Sequence, residues 1–183
     1  EISQAPLFVD DSPSRTVSEI AAAARRIKRR EESLGLIVID YLQLIEPDNS
    51  RDPRQEQVAK IARRLKGLAR ELEVPLLCLS QLNRQAEDSK DHRPKLSHLR
   101  ESGAIEQDAD VVMFVHREEY YHRGDDKAQF AGQAEIIISK QRNGPIGDVE
   151  LTWEADFTRF SDRAAERHNE FDDYAEFTSP GGF

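Results

Sequence analysis

The chain has 183 residues, 38% hydrophobic and 33% charged, and 26 Lys and Arg against 35 Asp and Glu leave a net charge of −9. This length can close one core, but the composition is more polar than the roughly 45–50% apolar and 25% charged residues of an ordinary domain, so a solvated segment is expected beside the core. The apolar stretches, Leu36-Ile37-Val38-Ile39 among them, fall far short of the roughly 20 residues of a membrane span, and the single Cys78 excludes an internal disulfide and offers no zinc pair, so a cytoplasmic, non-membrane protein is expected.

The chain opens on Glu1, without the basic start and apolar run of a signal peptide, and reads as a piece of something longer. Leu7-Phe8-Val9 suggests a short strand before Asp10-Asp11. Thr16 with Glu19 makes a capping box, and the Ala- and Arg-rich stretch to about Arg30 predicts a helix closed before Gly35. Leu36 to Ile39 is continuously apolar, which predicts a strand buried on both faces, as in parallel sheets flanked by helices. A loop over 46–54 follows, and then Val58, Ile61, Leu65, Leu68 and Leu72 recur at spacings of three and four, the pattern of an amphipathic helix. Leu76-Leu77-Cys78-Leu79 predicts a second buried strand, with Cys78 as a small core residue.

From Asn83 to Leu99 the sequence is polar and aperiodic, which predicts a long loop. A short helix over Ala104 to Ala109, a strand over Val111 to Val115 and a polar excursion over Glu118 to Gly132 come next. Ala134 to Ile138 and Asp148 to Trp153 flank the turn at Gly144 to Gly147 and predict an antiparallel pair, under which Trp153 packs. Residues 154–183 hold three Arg against eight acids, a net −5, which leaves −4 for the remainder, and the chain is expected to be disordered beyond Phe160. His92, His98, His116 and His122 lack the spacing of a metal site.

This alternation of strands and helices predicts a doubly wound α/β fold. Ligands of such sheets bind off the carboxyl ends of the strands, where Asp10, Asp40, Gln81 and the Lys140-Gln141-Arg142 group all fall. An Asp that ends an apolar strand is the Walker B pattern, in which a carboxylate holds Mg²⁺, usually through water, beside nucleotide phosphates. Its partner P-loop is absent, since none of the nine glycines precedes a Lys.

Five strings taken in order carry a resemblance over about residues 7–160. They are Leu34-Gly35-Leu36-Ile37-Val38-Ile39-Asp40-Tyr41-Leu42-Gln43-Leu44-Ile45, then Leu79-Ser80-Gln81-Leu82-Asn83-Arg84, and Leu99-Arg100-Glu101-Ser102-Gly103-Ala104-Ile105-Glu106-Gln107-Asp108-Ala109-Asp110, followed by Lys140-Gln141-Arg142-Asn143-Gly144-Pro145 and Phe157-Thr158-Arg159-Phe160. Together the strings resemble the bacterial replicative DNA helicases of the DnaB family. The resemblance implies a partial RecA-like motor domain over 1–160: a mostly parallel sheet with helices on both faces, an antiparallel hairpin at one end, and an acidic tail over 161–183.

It further implies ATP and Mg²⁺ as cofactors, single-stranded DNA as partner, assembly into a homo-hexamer, and contacts with primase and a helicase loader. By the same resemblance Asp40 is the Mg²⁺-associated carboxylate, Gln81 senses the γ-phosphate, and Lys140 and Arg142 face the ATP of a neighbouring subunit, Arg142 as its arginine finger. Alternate residues of an extended segment point the same way, so both cations can reach one triphosphate. Arg100, Glu101 and Gly103 fall in the DNA-contacting loop of the family, with Arg84 in the loop before it; Arg100 would meet a phosphate, and Gly103, without a Cβ, would admit the strand closely.

One departure is His98, where the family usually has an acid. The family's water-activating Glu lies between the P-loop and the first residue here, so this chain by itself is not expected to hydrolyse ATP. Two other readings remain open: a recombinase-like or circadian-clock-like ATPase on the same core, and a P-loop-less regulatory subunit that binds helicase rings or their loader.

Overall fold

The computed structural model describes residues 6–83 and 92–163. Helix α1 is Val17–Arg30, strand β1 Ile37–Ile39, helix α2 Arg54–Leu72, strand β2 Leu76–Cys78, and helix α3 Gly103–Asp108. Strand β3 is Val111–His116, helix α4 Asp125–Gln129, β4 Gln133–Gln141, β5 Gly147–Glu154 and β6 Arg159–Asp162. Leu7 to Val9 form no strand: the segment is exposed and pairs with nothing regular, because three apolar residues without a neighbouring edge have no ladder to join.

By compactness the chain divides into two units, Glu1–Phe114 with Ile137–Gly147, and Val115–Ile136 with Asp148–Phe183. In the first unit, α1 starts at the expected capping box. The Thr16 hydroxyl accepts from the Glu19 N–H at 3.3 Å, and the Glu19 carboxylate accepts from the Thr16 N–H at 2.9 Å. The five apolar positions of α2 are all buried. Val58, Ile61 and Leu65 pack with Val17, Leu42 and Ile45. Leu68 and Leu72 pack with Ala21, Ala24 and Val74. Arg25 makes two 2.7 Å hydrogen bonds to the Glu71 carboxylate and ties the two helices at their surface.

Strands β1 and β2 are parallel, with Ile37 opposite Leu76 and Ile39 opposite Cys78. Only one of their faces is covered, contrary to the burial on both faces that their apolar runs predict. Ile39, Leu76 and Cys78 lie on the core, while Val38 is 57% exposed. Side chains of a strand alternate between faces, and within these residues helices line only one of them. The second sheet has the order β3-β4-β5-β6. Strand β3 alternates as well: Val112 and Phe114 pack with Leu99 and Ile137, whereas Val111, Met113 and Val115 are exposed. No helix among the described residues is long and apolar enough to cross a membrane.

In the second unit β5 and β6 pair antiparallel, with Trp153 opposite Phe160 at a ring separation of 4.7 Å. Strand β6 continues to Asp162, two residues past the sequence boundary of the tail, and residues 164–183 lie outside the described residues. Gly132 has φ +72, a conformation that favours glycine. Its N–H donates to Glu119 at 3.0 Å, and its carbonyl accepts from the Trp153 N–H at 2.7 Å.

Candidate functional site

The parallel register of β1 and β2 brings both strands out of the core at the same edge. Asp40 follows the last residue of β1, and Gln81 lies three residues past the end of β2. The Leu79 N–H donates to the Ile39 carbonyl at 2.9 Å, and the Leu42 N–H donates to the Leu79 carbonyl at 2.9 Å, so the two exits remain laced beyond the strands. Both Asp40 and Gln81 are exposed.

Gln43 fixes this edge, a role that no periodicity in the sequence announces. Its Nε2 donates to Ser80 Oγ at 3.1 Å and to the Gln81 carbonyl at 3.2 Å, and its Oε1 accepts from the Gln81 N–H at 3.3 Å. Arg54, in the first turn of α2, donates to the Gln43 carbonyl at 3.1 Å. The Gln81 backbone is therefore clamped on both its donor and its acceptor, while its exposed side-chain amide takes no part in the clamp and stays available to a ligand. The one signal for Gln43 is its place three residues after Asp40.

The Asp40 carboxylate makes no hydrogen bond or ion pair among the described residues, so its acceptor capacity is uncommitted. No three His, Cys, Asp or Glu side chains gather to cage a metal among the described residues. Asp40 offers one carboxylate, the kind of ligand that Mg²⁺ takes beside water and phosphate oxygens when bound with a nucleotide. Beneath this edge Cys78 is partly buried, and burial pushes its thiol up to about 11, which makes it a packing group.

Lys140 and Arg142 belong to a different set of contacts, and the structure brings them together. Lys140 Nζ donates to the Gln107 carbonyl at 3.2 Å and also to the Glu106 carbonyl, and Arg142 Nη2 donates to the Gln107 carbonyl at 3.3 Å. Arg142 Nε lies 3.5 Å from Asp110 Oδ1, and the Arg142 backbone N–H donates to the Asp110 carbonyl at 2.8 Å. From α2, Lys66 Nζ reaches the Asp108 carbonyl at 2.7 Å and Asp110 Oδ1 at 2.8 Å. The carbonyls that end α3 lack intrahelical donors and carry the negative end of its dipole, which suits three cations. The hydrogen bond from Lys66 holds the Asp110 carboxyl below its ordinary value, with burial opposing and the charges of Lys66, Arg142 and Lys140 assisting. Neither Lys66 nor Asp110 stands out in the sequence, where one is part of a basic helix face and the other the end of a motif.

Arg100 and Glu101 lie in a 3-10 segment, Leu96–Ser102, which leads directly into α3 at Gly103. The predicted loop is thus helical from Leu96 onward apart from a kink at Leu99 (φ −86, ψ 19), and Arg84 lies outside the described residues. A Cβ on Gly103 would meet nothing within 4 Å and its φ is −50, so nothing among the described residues requires glycine there. His98 supplies a cap of its own: its buried Nδ1 accepts from the Lys95 N–H at 3.1 Å, and its carbonyl accepts from the Asn83 N–H at 3.2 Å. Asp10 does not join the edge of Asp40 and Gln81 through any bond; it accepts from the Ser12 N–H at 3.0 Å and pairs with Arg15 at 3.5 Å.

The second unit holds one further polar cluster. His116 and His122 contact the two oxygens of Glu118 at 2.9 and 2.8 Å. Burial raises the Glu118 carboxyl, but the bonds to His122 and His116 outweigh it and leave the group lowered.

A family model described as the DnaB-like helicase C terminal domain matches residues 1–162. The replicative DNA helicase DnaB of Geobacillus stearothermophilus is 50% identical over 160 residues, covering 87% of this chain and 34% of that protein. That of Pasteurella multocida is 50% identical over 168 residues, covering 92% and 35%. The chain therefore spans about a third of the length of these relatives. Among solved structures, one described as an ATPase domain superposes with a TM-score of 0.83 at 40% identity, over 88% of this chain and 56% of that one. A DnaB-like replicative helicase described with its interactions with primase gives the same TM-score and identity over 88% of this chain and 38% of its own. The fold is thus part of a RecA-like α/β ATPase domain, and the chain belongs to the DnaB-like helicase C-terminal domain family.

Proposed function

We propose that this chain is the carboxyl-terminal part of a hexameric replicative DNA helicase that couples ATP hydrolysis, with Mg²⁺, to translocation on single-stranded DNA and to duplex unwinding in the cytoplasm. The observation that carries this reading is the common edge of β1 and β2, where an uncommitted carboxylate and a backbone-clamped glutamine stand together. Mg²⁺ bound there with ATP would neutralise phosphate charge.

Asp40 would hold the cation, by way of a bound water. Gln81 donates its amide to the γ-phosphate without adding charge, and Gln43 keeps the Gln81 backbone fixed as the phosphate comes and goes. Lys140 and Arg142 reach the triphosphate of the adjacent subunit; Arg142, half exposed beside Asp110, has donors left over for an anion. Arg100 and the Gly103 backbone meet the DNA strand, with Glu101 between them and Arg84 in the preceding segment. Primase and a loader are further partners of the assembled ring.

The test uses the longer protein that carries this chain. Arg142→Ala should lower DNA-stimulated ATP turnover by on the order of 10³-fold, the scale of an arginine finger, while nucleotide affinity stays within about threefold. Turnover near the wild-type value overturns the assignment. In the same preparation Arg100→Ala should weaken single-strand binding more than ATP binding, and unchanged DNA affinity at moderate salt removes Arg100 from the interface. A chain that enters helicase rings yet supports no nucleotide binding would instead favour the regulatory-subunit reading.

A further inference from the structure

We propose that α3, with Asp110 two residues beyond its end, links the Arg100–Gly103 segment to Lys140 and Arg142, so that strand engagement at one end sets the position of the two cations at the other. The inference rests on the reading of that segment as DNA-facing and of those cations as ATP-facing.

Three observations carry it. The 3-10 segment ending at Ser102 and α3 are continuous in the chain, with no intervening linker to absorb a displacement. The helix has six residues, about 9 Å of rise, so its two ends cannot move independently unless it melts. Two carbonyls of its last turn, Glu106 and Gln107, are the acceptors of Lys140 and Arg142, and Asp110 contacts Arg142 through both its carboxylate and its backbone carbonyl.

The link also has an anchor. Ile105 packs against the cluster of Val58, Ile61 and Leu65 on α2, and Lys66 of the same helix holds Asp108 and Asp110. A rotation of α3 about that anchor moves its amino end and the carbonyl cradle in opposite senses. The guanidinium of Arg142 is held along its Nε and Nη2 edge, so a shift of the cradle reorients the donors that remain. Asp110 is thus a positioning residue, acting on the reaction through Arg142.

The experiment compares ATP turnover with and without single-stranded DNA in the longer protein. Asp110→Asn keeps the size of the side chain and removes its charge. The expected result is a fall of at least fivefold in the ratio of stimulated to unstimulated turnover, with KM for ATP and the affinity for single-stranded DNA within twofold of wild type, and partial recovery in Asp110→Glu. Lys66→Gln, which withdraws the partner of Asp110 from α2, should lower the same ratio at least twofold and carries the test if Asp110→Asn does not assemble.

An unchanged ratio overturns the link, and so does an equal fall of both rates, which would mean a merely structural role. Arg142→Ala, run in parallel, separates the two ideas. If it loses turnover while Asp110→Asn keeps its ratio, only the link fails; if it retains turnover, the reading beneath the link fails with it.

Discussion

Gln43 shows how much of the shared edge of β1 and β2 depends on a single neutral amide. Three hydrogen bonds from one neutral amide hold Ser80 and both backbone groups of Gln81, and they join the exit of β1 to the exit of β2. An intramolecular hydrogen bond contributes about 0.5–1.5 kcal/mol, and these are only partly shielded from water. Gln43→Ala should therefore destabilise the fold by about 1–2 kcal/mol in urea denaturation, and should raise KM for ATP in the longer protein. A change below about 0.3 kcal/mol would mean that water replaces the amide at no cost. The places of Asp40 and Gln81 just past the two strands were legible in the sequence because strand ends are marked by a change from apolar to polar residues. Gln43, Lys66 and Asp110 were not, because their partners lie 38, 42 to 44 and 32 residues away in the chain, and only folding brings them together.

At the scale of elements, helices were the most legible. The capping box of α1 and the buried stripe of α2 are local properties, set by neighbours three and four residues apart. Thr16→Ala removes the acceptor for the Glu19 N–H and should cost about 1 kcal/mol, read as a lowered urea midpoint with an unchanged slope. A midpoint equal to that of wild type would mean that the Glu19 half of the box suffices.

Strands were less legible, since a run such as Val111 to Val115 states that the segment is apolar and not which of its faces is covered. Burial of a strand depends on whatever packs above and below it, and here the alternate residues of β3 remain outside the core. Short 3-10 segments escaped the sequence for another reason. Leu96–Ser102 has no apolar period of its own, and its geometry rests on contacts such as the His98 cap.

At the scale of the whole chain, the apolar residues that stay exposed set its behaviour in solution. Val38 and Leu77 on one sheet and Val111, Met113 and Val115 on the other form apolar faces open to water, an arrangement that drives association. The chain expressed by itself should self-associate at micromolar concentration, and Val38→Lys with Met113→Lys should shift it toward monomer in analytical ultracentrifugation without lowering its thermal midpoint. A monomeric wild-type chain would contradict this.

The placement of Trp153 has an optical consequence. It is the one tryptophan of the sequence and belongs to the second unit, flanked by the Arg117 guanidinium 4.2 Å from its ring centre and by Phe160. The two long helices, α1 and α2, belong to the first. Indole emission therefore reports the state of one unit and far-ultraviolet ellipticity chiefly that of the other, so a single melt followed by both signals tells whether the units lose their structure together or in turn.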